Sequence, residues 1–288
     1  MKKLRLHFQT THAQQQVLYI KRDTTVAAPK RLLLVHGAGV GGETTWAFVA
    51  HYLKEWDEIV IPDLAGMGGA YFLHNAAPEV PDYITQIEEL LAAPEINWPF
   101  NGFDVASYSF GGLVVERWLR DKDFKRLCFL LEPAMLFSSS CTQVQEKGMA
   151  YERVAHEIMA VPDATSPYVA FLDMVSPKRE RADKAEEVTL SRLQQNPKGF
   201  AQALKAINHS LQQDCSYYTS WQSPWPGASF VGGLSWPVMH ERHERLMRES
   251  KNWHYETVAN ADHSLVFVKP RSIAQVMDKI RANTPLAV

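Results

Sequence analysis

The chain has 288 residues, 46% of them hydrophobic, enough to bury the core of one large domain or of a domain carrying an insertion. A formal net charge of −2 leaves no electrostatic footprint for nucleic acid, and no apolar run approaches the ~20 residues a membrane helix requires. Cys128, Cys141 and Cys215 are odd in number and lack metal-type spacing, which predicts reduced thiols in a cytoplasmic protein; no apolar stretch follows the basic N-terminus as it would in a signal peptide.

In chain order, Leu4–Thr10 and Gln16–Lys21 predict a β-hairpin at a sheet edge. Strands follow at 31–36 and 58–62, with a helix over Thr45–Glu55 between them. A helix over 82–93 precedes a strand at 103–107; the helix Phe110–Asp121 and the apolar strand Arg126–Leu131 come next. Short apolar strands alternating with amphipathic helices predict an α/β fold, with a mostly parallel sheet flanked by helices on both faces.

The alternation stops after Glu132-Pro133. Residues 135–223 carry helical periodicity, with helices predicted over Gln143–Ala160, Tyr168–Val175, Lys184–Gln195 and Pro197–Gln213. Strand-like runs return at Ala228–Gly232 and Trp253–Val258, before a final amphipathic helix. The organisation this predicts is a core of residues 1–134 and 224–288 with a helical cap, 135–223, inserted into it.

Asp104-Val-Ala-Ser-Tyr-Ser-Phe-Gly-Gly112 runs from an apolar strand into a tight turn with Ser109 at its apex. Such an elbow holds a nucleophile exposed on strained backbone and tolerates only small residues two before and two after it, here Ser107 and Gly111. Serine at the first of these places should fit at some steric cost. Upstream, the strand 31–35 ends in His36-Gly37, followed by Ala38-Gly39-Val40-Gly41-Gly42, and the next strand ends in Asp63-Leu-Ala-Gly66-Met-Gly68-Gly69. Near the C-terminus, Ala261-Asp262-His263-Ser264 puts a histidine in a loop after the last strand.

A His-Gly strand, an Asp-x-x-Gly-x-Gly loop, a serine elbow and a late histidine, in that order, resemble the α/β-hydrolase family over residues 31–134 and 228–281. The resemblance implies Ser109 as nucleophile, His263 as the base that takes its proton, and an oxyanion hole made by the backbone N–H groups of Phe110 and Ala38. It implies no cofactor and no metal. His240-Glu-Arg-His243 has the wrong spacing for a zinc helix and reads as a helix surface.

The acid departs from the family's commonest pattern, because the segment after the strand at 228–232, Gly232-Gly-Leu-Ser-Trp236-Pro, holds no carboxylate. Some haloalkane dehalogenases carry the acid one strand earlier, and Glu132 stands at that place. A carboxylate ending an apolar strand is costly unless paired, and the second ring nitrogen of His263 is a natural partner. Glu241 and Glu244 are the fallback candidates, and a dyad lacking any acid is a further alternative. The dehalogenase resemblance ends there, since those enzymes need an aspartate nucleophile.

The expected activity is cleavage of a carboxylic ester or related carbonyl compound, a small and moderately hydrophobic molecule, through an acyl-enzyme. Thioesterase, lactonase, carbon–carbon bond hydrolase and acyltransferase activities share the machinery. Met135 and Trp221 are candidates for the pocket wall, and no Arg or Lys can be placed in that pocket from sequence. Two readings compete. Gly37-x-Gly39-x-x-Gly42 after a strand, with Asp63 about twenty residues on, matches a dinucleotide-binding fingerprint and would make an NAD- or FAD-dependent oxidoreductase. A non-catalytic ligand-binding member of the fold would explain the missing carboxylate, but needs neither Ser109 nor His263.

Overall fold

The computed structural model describes residues 1–22, 26–74, 76–179 and 183–284. Among these, nine strands form one sheet: β1 (Lys2–Gln9), β2 (Ala13–Lys21), β3 (Arg31–Val35), β4 (Glu58–Pro62), β5 (Tyr71–Phe72), β6 (Asp104–Tyr108), β7 (Cys128–Leu131), β8 (Gly227–Gly232) and β9 (Trp253–Val258). Their order is β1-β2-β4-β3-β6-β7-β8-β9, with β5 paired to β2. From β4 to β9 every pairing is parallel, while the hairpin β1–β2 adds on antiparallel at the edge, with Val17 opposite Pro62. The alternating apolar strands and helices therefore build the mostly parallel α/β sheet that the pattern predicts.

Helices α1 (Gly42–Tyr52), α2 (Val80–Ala92) and α3 (Phe110–Leu119) connect the first parallel strands, α8 (Pro237–Glu249) joins β8 to β9, and α9 (Leu265–Val268) and α10 (Pro270–Asn283) follow β9. Successive residues of a strand point to opposite faces, so each central strand feeds two cores. Leu33, Val35 and Val105 pack with Leu90 of α2 and Leu113 of α3, whereas Leu32, Leu34 and Ala106 pack with Trp46 of α1 and Met277 of α10. Because both faces are covered, these strands read as continuous apolar runs.

After β3 the chain steps to β4 on one side; after β6 it steps to β7 on the other. The crevice between the carboxyl ends of β3 and β6 is thus the switch point, where open α/β sheets bind ligands. The Gly37-Ala38 loop leaves β3 on one side of it and Ser109 leaves β6 on the other.

Between β7 and β8 lie α4 (Cys141–Ala160), α5 (Ser166–Val175), α6 (Asp183–Leu193) and α7 (Pro197–Ser220). Their inner faces, with Val144, Ile158, Phe200 and Leu204, join the core on the α2–α3 side of the sheet. Helix α7 runs beyond the predicted end at Gln213, through a break at Asp214 (φ −111°, ψ 18°). The polar stretch Asp214–Ser220 is a weak helix former, and contacts to α3 hold it. Arg117 and Arg120 donate to the Asp214 carboxylate at 2.6 and 2.9 Å, and the Tyr217 hydroxyl donates to buried Glu116 at 2.8 Å.

Two expectations change here. Cys141 and Cys215 form a disulfide with Cα atoms 5.3 Å apart, because α4 and α7 pack side by side and bring distant positions opposite each other; only Cys128 is a free thiol, so the argument for a reducing compartment no longer stands on the cysteines. The segment His240–His243 lies on α8 but is not simply surface, since Arg242 and His243 are fully buried. Arg242 donates to the carbonyls of Tyr218 and Trp221 at 3.0 and 2.6 Å, satisfying the end of α7 that no helical N–H can reach.

Candidate active site

Ser109 sits between β6 and α3 with φ 53° and ψ −117°, a backbone state closed to most non-glycine residues. The surroundings over-determine it. Its N–H donates to the Leu131 carbonyl at 3.0 Å, and its own carbonyl accepts from Gly112 and Ala134 at 3.0 Å each. A Cβ at Gly111 would lie 2.4 Å from the His36 carbonyl oxygen, so only glycine lets α3 approach the β3 loop. Ser107 is buried, and its hydroxyl lies 3.5 Å from the Phe129 carbonyl.

His263 follows β9 on a loop turned by Asp262, whose carboxylate accepts from the Ser264 N–H at 2.8 Å. Tyr108, next to Ser109, donates its hydroxyl to the His263 carbonyl at 2.7 Å and lays its ring 5.0 Å from the imidazole. Nε2 of His263 lies 3.1 Å from Ser109 Oγ, and Nδ1 lies 2.7 Å from Glu132 Oε2. A carboxylate can only accept, so Nδ1 donates to Glu132, and in the neutral ring that leaves the Nε2 lone pair facing the serine.

Glu132 ends β7 with φ 39° and is 1% exposed. Its other oxygen accepts from the Gly232 N–H at 2.7 Å and from the Ser235 hydroxyl. The last residue of β8 and the loop after it, which holds no carboxylate of its own, thus supply two donors to the carboxylate that follows β7. Glu241 and Glu244 are exposed on α8, and neither bonds to His263. Ser235 and Tyr108 carry no sequence signal that separates them from ordinary loop and strand residues.

Phe110 is the first residue of α3, where the backbone N–H has no intrahelical acceptor, and its ring packs edge-on to Tyr83. Ala38 lies across the crevice and lines the cavity above Ser109. The glycine loop beside it is tied down from within: Asp63 accepts from the N–H groups of Gly42 and Gly69 at 2.6 and 2.8 Å and from Gln16 at 2.8 Å. That leaves Asp63 spent on its own loop rather than free for a ribose. His36 accepts from the Leu64 N–H at 2.7 Å, and burial holds its ring below the usual histidine range. Among the described residues no group of three or more His, Cys, Asp or Glu side chains is arranged to hold a metal ion.

A cavity of about 780 Å³ opens over Ser109 and His263 and reaches the helical insertion. Phe171, Leu172, Val175 and Leu193 give it apolar walls, and Lys178, Arg179 and Arg192 bring in cations that the sequence did not place there. Arg179 is paired with Asp173 and with Glu186. The two residues expected on the wall are elsewhere. Met135 is fully buried in the core where the chain turns after Pro133, and Trp221 packs on Trp225 and Trp253 below the end of α7.

The sequence matches the alpha/beta hydrolase family over residues 32–276. The chain belongs to that family. Solved structures with the same fold include a putative epoxide hydrolase from Pseudomonas aeruginosa (15% identity, 97% of this chain and 95% of that one, TM-score 0.72). A haloalkane dehalogenase from Bradyrhizobium elkanii is similar at 15% identity (98% and 99%, TM-score 0.70), and a thermophilic esterase from Thermogutta terrifontis at 16% (97% and 97%, TM-score 0.68). At these identities the likeness is one of fold. No curated protein sequence matches the chain. Among the described residues no helix is long and apolar enough to cross a membrane.

Proposed function

We propose that this alpha/beta hydrolase is a serine hydrolase that cleaves a carboxylic ester or a related carbonyl compound through an acyl-enzyme. The observation that carries the reading is the continuous chain from Ser109 Oγ to His263 Nε2 at 3.1 Å and from His263 Nδ1 to Glu132 at 2.7 Å. As Oγ attacks the carbonyl carbon, Nε2 takes its proton, and Glu132 stabilises the imidazolium that forms. The N–H groups of Phe110 and Ala38 receive the developing oxyanion. Collapse of the tetrahedral intermediate passes the proton to the leaving group, and water resolves the ester on Ser109 by the same steps.

Serine at the elbow supports acyl transfer over dehalogenation, which requires an aspartate there. The helical insertion acts as a cap: its apolar walls suit a moderately hydrophobic group, in a volume typical of small-molecule sites. Thioesters, lactones and activated carbon–carbon bonds are cleaved by the same machinery and belong to the same reading.

An organophosphonate probe should label the protein and should fail to label Ser109→Ala. Turnover of p-nitrophenyl esters should vanish in the same variant while its melting temperature stays near that of the parent. Labelling or turnover that survives the substitution removes the proposal.

A further inference from the structure

A second and much smaller cavity adjoins the nucleophile. It measures about 10 Å³, and Ser109, Glu132 and His263 line it together with Lys147, Tyr151 and Trp236. That is room for one water-sized oxygen.

Lys147, on α4, is 9% exposed. Its Nζ donates to the Met174 carbonyl at 2.6 Å and lies 4.7, 5.7 and 5.9 Å from the ring centroids of Phe137, Tyr151 and Trp236. Burying a lysine is costly unless it is paired and hydrogen-bonded. The Met174 carbonyl, which also accepts from Trp236 Nε1 at 3.1 Å, takes up only one of the lysine's donors. An ammonium has three N–H donors, so two remain after that bond, in an aromatic box that opens on the reacting serine.

We propose that Lys147 is a specificity-determining residue that reads one uncharged oxygen, a hydroxyl or keto group, on the acyl part of the substrate one or two carbons from the reacting carbonyl. This rests on the serine-hydrolase reading and names its substrate class. The acyl side is assigned because a departing alcohol needs a way out, and the large cavity, bordered by exposed Lys178 and Arg192, provides one. The acyl group stays on Ser109 until it is hydrolysed, and a chamber for one oxygen suits the part that stays. The oxygen is uncharged because Glu132 lines the same chamber and would repel a carboxylate. Burial pulls Lys147 down to about 7, against the opposing field of Glu132. The amine keeps N–H groups to donate in either protonation state.

The test compares benzyl lactate with benzyl propionate, and benzyl acetoacetate with benzyl butyrate, on the wild type, Lys147→Met and Lys147→Gln. The wild type should favour the oxygenated ester of a pair in kcat/KM by about 10- to 100-fold, the worth of one hydrogen bond to a charged group. Lys147→Met should bring both ratios close to one, and Lys147→Gln, which keeps an N–H donor, should retain part of the preference. Ratios near one in the wild type, or a preference that survives Lys147→Met, overturn the proposal. A merely structural lysine would lower the melting temperature and slow all four esters together with their ratios intact, which also counts against it. Organophosphonate labelling of the same preparations separates the two levels. A labelled Ser109 with flat ratios sinks only the role of Lys147, whereas an unlabelled protein sinks the hydrolase reading beneath it.

Discussion

Glu132 holds a carboxylate almost wholly out of water, and a charge in that position is tolerated only when several donors share it. Gly232 at the end of β8, Ser235 in the loop after it and His263 in the loop after β9 do so. If the proposed mechanism holds, Glu132→Gln keeps the shape and removes the charge that would steady the imidazolium, so turnover should fall by about 10³- to 10⁴-fold, the scale of the corresponding change in a serine protease. Glu241→Gln and Glu244→Gln, exposed on α8, should stay within a few-fold of the parent. The reverse pattern in steady-state kinetics would move the acid to α8. The convergence of Ser109 and His263 was legible because the elbow's small-residue spacing and the late loop are local signals. Lys147 was not, since a lysine at helical spacing reads as solvated until the packing of α4 is known. Met135 and Trp221 were misplaced for a related reason: apolar side chains at helical spacing report burial, not which cavity they face.

The parallel strands β3, β4, β6, β7, β8 and β9 were readable to within two residues, most of them as unbroken apolar runs, whereas β2 begins three residues before the predicted Gln16 and the two-residue β5 carried no signal. The helical insertion was legible as four helices, but its fastening was not. Arg117, Arg120 and Glu116 look like ordinary α3 surface charge until Asp214 and Tyr217 arrive from α7. The pairing of Cys141 with Cys215 needs the same knowledge of how α4 lies on α7. The cross-link closes a loop of 74 residues and should stabilise the protein by about 2–4 kcal/mol through the entropy of the unfolded chain. Urea unfolding of Cys141→Ser/Cys215→Ser should therefore show a lower midpoint, and dithiothreitol should lower the parent's midpoint without affecting the variant. Identical midpoints for all four samples would mean the bond contributes nothing.

Across the molecule, two buried neutral imidazoles tie stability to pH. Burial lowers both His36 and His243, the latter to about 3. The unfolded chain binds protons at these rings near pH 6.5, whereas the folded chain binds them only at lower pH. Their contribution is therefore complete above about pH 6.5 and is lost as the pH falls below it, by up to about 1.4 kcal/mol per unit for each ring. Between pH 7.5 and pH 5 the His243 ring should cost about 2 kcal/mol in urea titrations, with His36 acting in the same direction, and His243→Leu should remove that part of the slope. A slope unchanged in His243→Leu would show that the ring is protonated in the folded state.

The bond at the root of the helical insertion also has a consequence for engineering. With Cα atoms 5.3 Å apart, Cys141 and Cys215 bring the two ends of a long excursion nearly together. Ser109 and Glu132 precede that excursion and His263 follows it, so no member of the trio belongs to it. On the serine-hydrolase reading, substrate preference could then be re-engineered within residues 141–215 alone, provided that the side chains they share with the core and with α3 are kept.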